Sequence, residues 1–333
     1  MLSTMFTQRY GIRHPLVQAP MAGVAGGALA GAVSAAGGLG MLGVGSATTL
    51  EWIAAQAALA RPHGSFGIGL MTWAVDKRPE LLDGALAERP LAIVLSFGDP
   101  AQYVERVHAA GIAVFSQVQD LATARQALAA GADVLIAQGT DAGGHTGAVG
   151  TLPLLQLVLD LGDEAGVPVL AAGGIATGRG VAGVLAMGAA GGWIGTRFAA
   201  TREAMGTDAA KQAILRAEET QTLHTHVFDI VQKIPWPDPF PGRALTNAFA
   251  RRWHGHEEEL KAHLESILPE CELARSREAD VDMSVDAGRA VVLIADLPPA
   301  AALVERLMRD AETTLRQVGS LLSDGAGAEG TPA

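Results

Sequence analysis

The sequence predicts an α/β fold, a (β/α)8 TIM barrel carrying an inserted, smaller and mainly helical domain. Three observations lead there. Eight short apolar runs alternate with Ala-rich windows through the first two thirds of the 333-residue chain, the signature of repeated βα units. Those units follow one another at short, regular spacing, which favours a closed barrel over an open doubly wound sheet. The alternation stops near residue 214, where charge and proline content rise.

The expected strands are Leu16–Met21, Leu39–Gly43, Phe66–Met71, Leu91–Phe97, Ala113–Val118, Asp133–Gln138, Pro168–Gly173 and Gly192–Phe198. Between them, Leu50–Ala60, Gln102–Ala110, Ala122–Ala130 and Gly178–Met187 are each long enough for a short helix. Gly111, Gly131 and Gly188 end three such windows just before the next strand, as helix C-caps do. Residues 215–285 hold five of the nine histidines and the run Pro235-Trp236-Pro237-Asp238-Pro239-Phe240-Pro241. Alternating prolines continue neither a helix nor a central strand, so this stretch reads as a boundary or a lid. Ala300–Leu322 is again a helical window, with Leu303, Leu307, Met308, Leu315 and Val318 at helical spacing. The expected division is therefore a barrel with its closing helix over 1–214 and 286–322, an inserted lid or substrate domain over 215–285, and a flexible tail over 323–333.

Composition removes several function classes. Hydrophobic residues make up 49% of the chain, so the core is ample, while aromatics are only 5%, too few for a base-stacking platform. With 24 basic and 35 acidic residues the net charge is −11, the opposite of a phosphate-backbone footprint, and no nucleic-acid partner is expected. Cys271 is the single cysteine, which excludes an internal disulfide, a cysteine-built zinc site and a redox pair. No secretion signal opens the sequence, and no stretch approaches about 18 unbroken apolar residues. A soluble cytoplasmic protein without a membrane span is expected.

In a barrel the functional face is where the strands end, so chemistry is sought there. After the sixth run comes Gln138-Gly139-Thr140-Asp141-Ala142-Gly143-Gly144-His145-Thr146-Gly147. Four glycines around one histidine pack poorly, but they suit a backbone that approaches a ligand, and His145 is the one side chain there that titrates near neutral pH. Asp141 could orient a donor or cap the next helix. No second ligand stands at metal spacing in this loop, so no metal is expected. Gln18-Ala19-Pro20-Met21 ends the first run with small residues that admit a flat ring. Gly173-Gly174-Ile175 and Gly195-Thr196-Arg197 end the seventh and eighth, where barrels often hold a phosphate on backbone N–H groups and helix N-termini. His224 and His226 read as surface residues, with a metal pair as the alternative; His254 and His256 precede the run Glu257-Glu258-Glu259, a solvated helix face.

Together, Gln18-Ala19-Pro20-Met21, Ala142-Gly143-Gly144-His145-Thr146-Gly147, Ala172-Gly173-Gly174-Ile175 and Gly195-Thr196-Arg197-Phe198 resemble the nitronate monooxygenases, formerly called 2-nitropropane dioxygenases. The likeness extends to Gly242-Arg243-Ala244 in the insertion. It implies an FMN-dependent enzyme in which Ala19, Pro20 and Met21 lie along the flavin ring and Gln117 hydrogen-bonds it. Gly173, Gly174, Gly195 and Thr196 would hold the FMN phosphate, with Gly143 and Gly144 also against the cofactor. His145 matches the catalytic histidine, which takes the α-proton of a nitroalkane as general base. The implied partners are a small nitronate or nitroalkane and dioxygen, the products a carbonyl compound and nitrite, and a homodimer is a possible assembly. At the third strand Gly69 stands where the family often has a flavin-contacting asparagine. An FMN-dependent NAD(P)H:quinone or enoyl-thioester reductase on the same barrel is the alternative.

Overall fold

The computed structural model describes residues 2–219, 221–276 and 284–321; the flexible tail expected over 323–333 lies outside the described residues. Its strands are β1 (Leu16–Gln18), β2 (Gly40–Gly43), β3 (Phe66–Met71), β4 (Ala92–Ser96), β5 (Ala113–Val118), β6 (Val134–Gln138), β7 (Gly144–His145), β8 (Val169–Ala172), β9 (Gly191–Ile194), β10 (Thr222–Thr225) and β11 (Gly242–Leu245). Eight of them pair in parallel in the order β1-β9-β8-β6-β5-β4-β3-β2, and a bridge between Val17 and Leu39 joins the two ends. This is the (β/α)8 barrel. The third and fifth runs became strands over the expected residues. The first strand stops at Gln18, ahead of Pro20, whose missing N–H cannot extend the ladder. The eighth stops at Ile194, and Thr196–Ala199 coils into a single helical turn.

Side chains alternate across each strand and divide the core in two. Val17, Met41, Val94, Phe115, Ile136, Leu170 and Trp193 point inward and fill the barrel. Phe6 and Tyr10, on the helix Met5–Tyr10, stack edge-on with Phe115 and close the N-terminal end. Outward residues such as Leu135, Ala171 and Ile194 pack against the surrounding helices. The closing helix Ala300–Gly319 buries Leu303, Val304, Leu307, Met308 and Ala311 in that same shell. Each such leucine or methionine contributes roughly 1.5–3 kcal/mol on leaving water.

A second, antiparallel sheet has the order β10-β11-β7. Two of its strands come from the segment past residue 214, and the third is the two-residue strand carrying His145. Val227, Phe228, Val231, Ala250, Trp253 and Leu260 form a small core of their own beneath it. The helix Asp208–Arg216 runs past residue 214 without a break.

Candidate active site

The last inward-facing residue of each barrel strand, or the one just after it, is Ala19, Gly43, Gly69, Ser96, Gln117, Gln138, Ala172 or Gly195. All eight line one cavity of about 520 Å³ at the C-terminal mouth. A ring of mostly Gly and Ala makes a flat floor, which suits a planar aromatic group. Pro20 and Met21 fold back over part of that floor. A Cβ on Gly69 would lie 2.4 Å from the Pro20 ring, and one on Gly43 would lie 2.3 Å from the Met21 backbone. Gly69 is thus demanded by Pro20, and an asparagine there has no room.

Gly173 and Gly174 both hold positive φ, +104° and +75°, a pair that turns successive N–H groups toward one point. The N–H groups of Gly174, Ile175 and Thr196 have no acceptor among the described residues. Three free backbone donors at a cavity wall could hold an anion. The Thr196 hydroxyl accepts the Gly288 N–H at 3.0 Å and keeps its own proton to donate. On the opposite side of the floor, the Gln117 amide lines the cavity and makes no hydrogen bond among the described residues.

His145 is fixed from three directions. Its Nε2 lies 2.9 Å from Asp229 Oδ1, and Asp229 Oδ2 meets His226 Nδ1 at 3.2 Å. Its ring stacks on Trp236 with centroids 3.4 Å apart and planes at 11°. Its carbonyl accepts from the Gln138 amide at 3.1 Å. A carboxylate only accepts, so the neutral imidazole carries its proton on Nε2 and offers the Nδ1 lone pair, for which no partner exists among the described residues. Trp236 belongs to the proline-rich run and is itself wedged edge-on by Phe97 and Trp73. Buried Arg243 ties the loop down, donating to the Thr140 carbonyl at 2.8 Å.

Asp286 joins His145 through strand register. His145 lies opposite Gly242 and Asp286 opposite Ala244, two residues apart along β11. Partners two apart share a face, so both side chains project the same way, roughly 7 Å apart along the strand. The Asp286 carboxyl is open to the cavity, yet the surrounding protein desolvates it and pushes its pKa up, opposed by the nearby His145 and the Ser284 hydroxyl.

Every expected site residue, His145 and all ten expected cofactor contacts, lines this one cavity. The glycines around His145, however, answer largely to protein. A Cβ on Gly143 would lie 2.6 Å from Gly288 N, one on Gly139 would lie 2.3 Å from Thr151, and one on Gly147 would lie 2.7 Å from Gln119. Asp141 takes the capping role, accepting from Thr151 N at the start of the helix Thr151–Ala165. His224 and His226 are not the plain surface residues expected. His224 is half-buried, bonds the Thr146 hydroxyl at 3.0 Å, and has its pKa lowered by burial and by Arg243. His226 braces Asp229. His254 and His256 do sit exposed beside Glu257 and Glu259.

Sequence reasoning missed Asp229, Asp286, Trp236 as a stacking partner, and Lys211. Lys211 lines the cavity although only 8% exposed, and its ammonium reaches just the Arg202 carbonyl at 3.3 Å. No carboxylate among the described residues pairs with it. A buried cation without a counter-charge is costly and marks a place for an anion. No sequence pattern signals it; only the fold of Asp208–Arg216 over the cavity does.

The nitronate monooxygenase family model matches residues 3–68 and 68–310 of the chain. The chain belongs to the nitronate monooxygenase family. It is therefore an oxidoreductase of a flavin-dependent family acting on small molecules. A nitronate monooxygenase of Neurospora crassa is 32% identical over 91% of this chain and 90% of its own length. Equally similar is the (3aS,4S,5R,7aS)-5-hydroxy-7a-methyl-1-oxo-octahydro-1H-indene-4-carboxyl-CoA dehydrogenase of Mycobacterium tuberculosis, 33% identical over 96% of this chain and 99% of that one. Among solved structures, FabK from Thermotoga maritima has a TM-score of 0.83 at 29% identity, covering 97% of this chain and all of that one. A nitroalkane oxidase from Streptomyces ansochromogenes has a TM-score of 0.77 at 29% identity, covering 94% and 99%. No helix among the described residues is long and apolar enough to cross a membrane.

Proposed function

We propose that the protein is an FMN-dependent enzyme that oxidises nitroalkanes and their nitronates with dioxygen, using His145 as general base. The observation that carries this is an imidazole held over the glycine-floored barrel mouth with Nε2 on Asp229 and Nδ1 free. The residues fit FMN. The flat floor takes the ring, the unbonded Gln117 amide meets its polar edge, and Gly173, Gly174, Gly195 and Thr196 with Lys211 take the phosphate. Ala19, Pro20 and Met21 flank the ring, and Gly143 and Gly144 bound the cavity beside it. FMN, when bound, supplies the redox chemistry.

This chain's own residues handle the proton. Nδ1 of His145 removes the α-proton of the nitroalkane, leaving charge on the nitro oxygens. The imidazolium so formed keeps its Nε2–H on Asp229, which gains as positive charge develops, and Asp286 on the same face adds to that stabilisation. His226 fixes the carboxylate, and Trp236 fixes the ring plane, so no reorganisation is needed at the moment of transfer. The segment over 215–285, which brings Asp229, His226 and Trp236, serves as lid and as second half of the site.

His145→Asn is expected to retain FMN yet lose at least about a hundredfold in nitrite release from neutral nitroalkanes, the range of one general base. Unchanged turnover removes His145 from that role. The similarity to a carboxyl-CoA dehydrogenase favours a second reading, an oxidoreductase of thioester substrates on the same site; flavin reduction by NAD(P)H but not by nitronate distinguishes it.

A further inference from the structure

The His145 ring is enclosed on both faces. Against one lies the Trp236 indole, its centroid 3.4 Å away and its plane inclined by 11°. Against the other lies Gly242, the partner of His145 in strand register. A Cβ on Gly242 would stand 3.3, 3.4 and 3.7 Å from Nε2, Cε1 and Cδ2 of the imidazole. Distances so alike put that point above the ring plane rather than at its edge, and the indole already fills the first face. The imidazole therefore has little room to tilt away from the indole. The indole is held in turn. Trp236 stands between Pro235 and Pro237, which restrict its backbone, and the rings of Phe97 and Trp73 pack on it at centroid distances of 5.1 and 5.2 Å.

For two neutral rings this is the less favoured arrangement. Aromatic pairs prefer offset or edge-to-face packing, because two electron-rich faces laid squarely together repel. Here the centroids are no farther apart than two rings in van der Waals contact, so the offset is close to zero. The sign reverses once one ring is a cation, since a positive group over an aromatic face is attracted to it, and to tryptophan most strongly. Protonation at Nδ1 turns His145 into that cation while Nε2–H stays on Asp229. Substrate and Asp229 meet the imidazole in its plane and the indole meets its face, so the three do not compete.

We propose that Trp236 is a positioning residue whose indole face stabilises the imidazolium formed on His145 during α-proton removal and gives no such help to the neutral imidazole before it. The proposal rests on the nitroalkane reading given above. In that step the α-C–H bond breaks, its proton passes to Nδ1, and its electron pair moves onto the nitro oxygens. A contact stronger in the transition state than in the ground state speeds the step, and a desolvated contact of this kind supplies about five- to thirtyfold.

The test places tryptophans with increasing numbers of ring fluorines at position 236 alone of the FMN-loaded protein. Fluorine drains electron density from the indole face and leaves the shape of the ring nearly unchanged. With nitroethane, kcat is expected to fall at each added fluorine, by about five- to thirtyfold over the series, with KM little changed. Ethyl nitronate, which arrives already deprotonated, is expected to be oxidised at a constant rate throughout. A flat series with nitroethane, or equal losses for nitroethane and its nitronate, shows that Trp236 only holds the ring and the lid, and overturns the proposal; nitroethane turnover by the unsubstituted protein then leaves the nitroalkane reading standing. No turnover of nitroethane by the unsubstituted protein overturns both.

Discussion

Lys211 offers a prediction with opposite signs for the apo and the loaded protein. Its ammonium is nearly buried, holds one carbonyl at 3.3 Å, and lines the same cavity as Thr196. At an effective dielectric of about 20, an ammonium and a phosphate about 4 Å apart attract by about 4 kcal/mol. The desolvation already met by the folded chain and competing water reduce this to the range of a charge-assisted hydrogen bond, about 1.5–3 kcal/mol. Lys211→Met keeps the alkyl stem and removes the charge. FMN should then bind roughly 10- to 150-fold more weakly. Riboflavin, which lacks the phosphate, should bind as before. The apoprotein should become more stable, because an uncompensated buried charge is gone. Fluorescence titration of apoprotein with both flavins, together with thermal melts without ligand, reads all three. An equal loss for FMN and riboflavin, or no loss for either, refutes the assignment of Lys211 to the phosphate.

Two further perturbations probe the proton machinery. Asp229→Asn removes the anion behind His145 Nε2; kcat/KM for a neutral nitroalkane should fall about 10- to 150-fold, the worth of one hydrogen bond to a charged group, while the preformed nitronate, which needs no deprotonation, should lose far less. Equal losses for the two substrates would mean that Asp229 only supports the fold. Asp286 has its pKa raised in the folded state, so the native protein binds more protons than the unfolded chain and stability falls as pH rises above the ordinary aspartate range. Asp286→Asn should accordingly raise the Tm at pH 7 and leave it unchanged near pH 3, where both states are protonated; a uniform shift at both pH values contradicts the desolvation account.

The barrel was legible because its strands are short apolar runs bounded by Gly and Pro, and such runs declare themselves locally. That Gly173-Gly174, Gly195-Thr196 and His145 line the barrel mouth was legible for a related reason, since they fall where strands end. The remainder depends on register between distant segments. β7 has only two residues, and no local pattern shows that Gly144 and His145 pair with Arg243 and Gly242. Asp286 reaches the site only through a bridge to Ala244, and Asp229 only because β10 sets the start of the helix Val227–Gln232 beside His145. The glycines of the His145 loop taught a subtler lesson. They signal close approach correctly, but at Gly139, Gly143 and Gly147 the approaching group is protein. Gly69 is similar: its missing side chain makes room for Pro20, which a linear reading does not place next to it.

The central claim is that the protein, loaded with FMN, takes electrons from a nitronate after His145 has removed the α-proton. Anaerobic mixing of the yellow protein with an alkyl nitronate, with the parent nitroalkane, and separately with NADH and NADPH tests it most directly. Bleaching of the flavin by nitronate and nitroalkane, with His145→Asn bleached only by the nitronate, is the predicted result. Bleaching by NAD(P)H alone, with neither nitro compound effective, would contradict it.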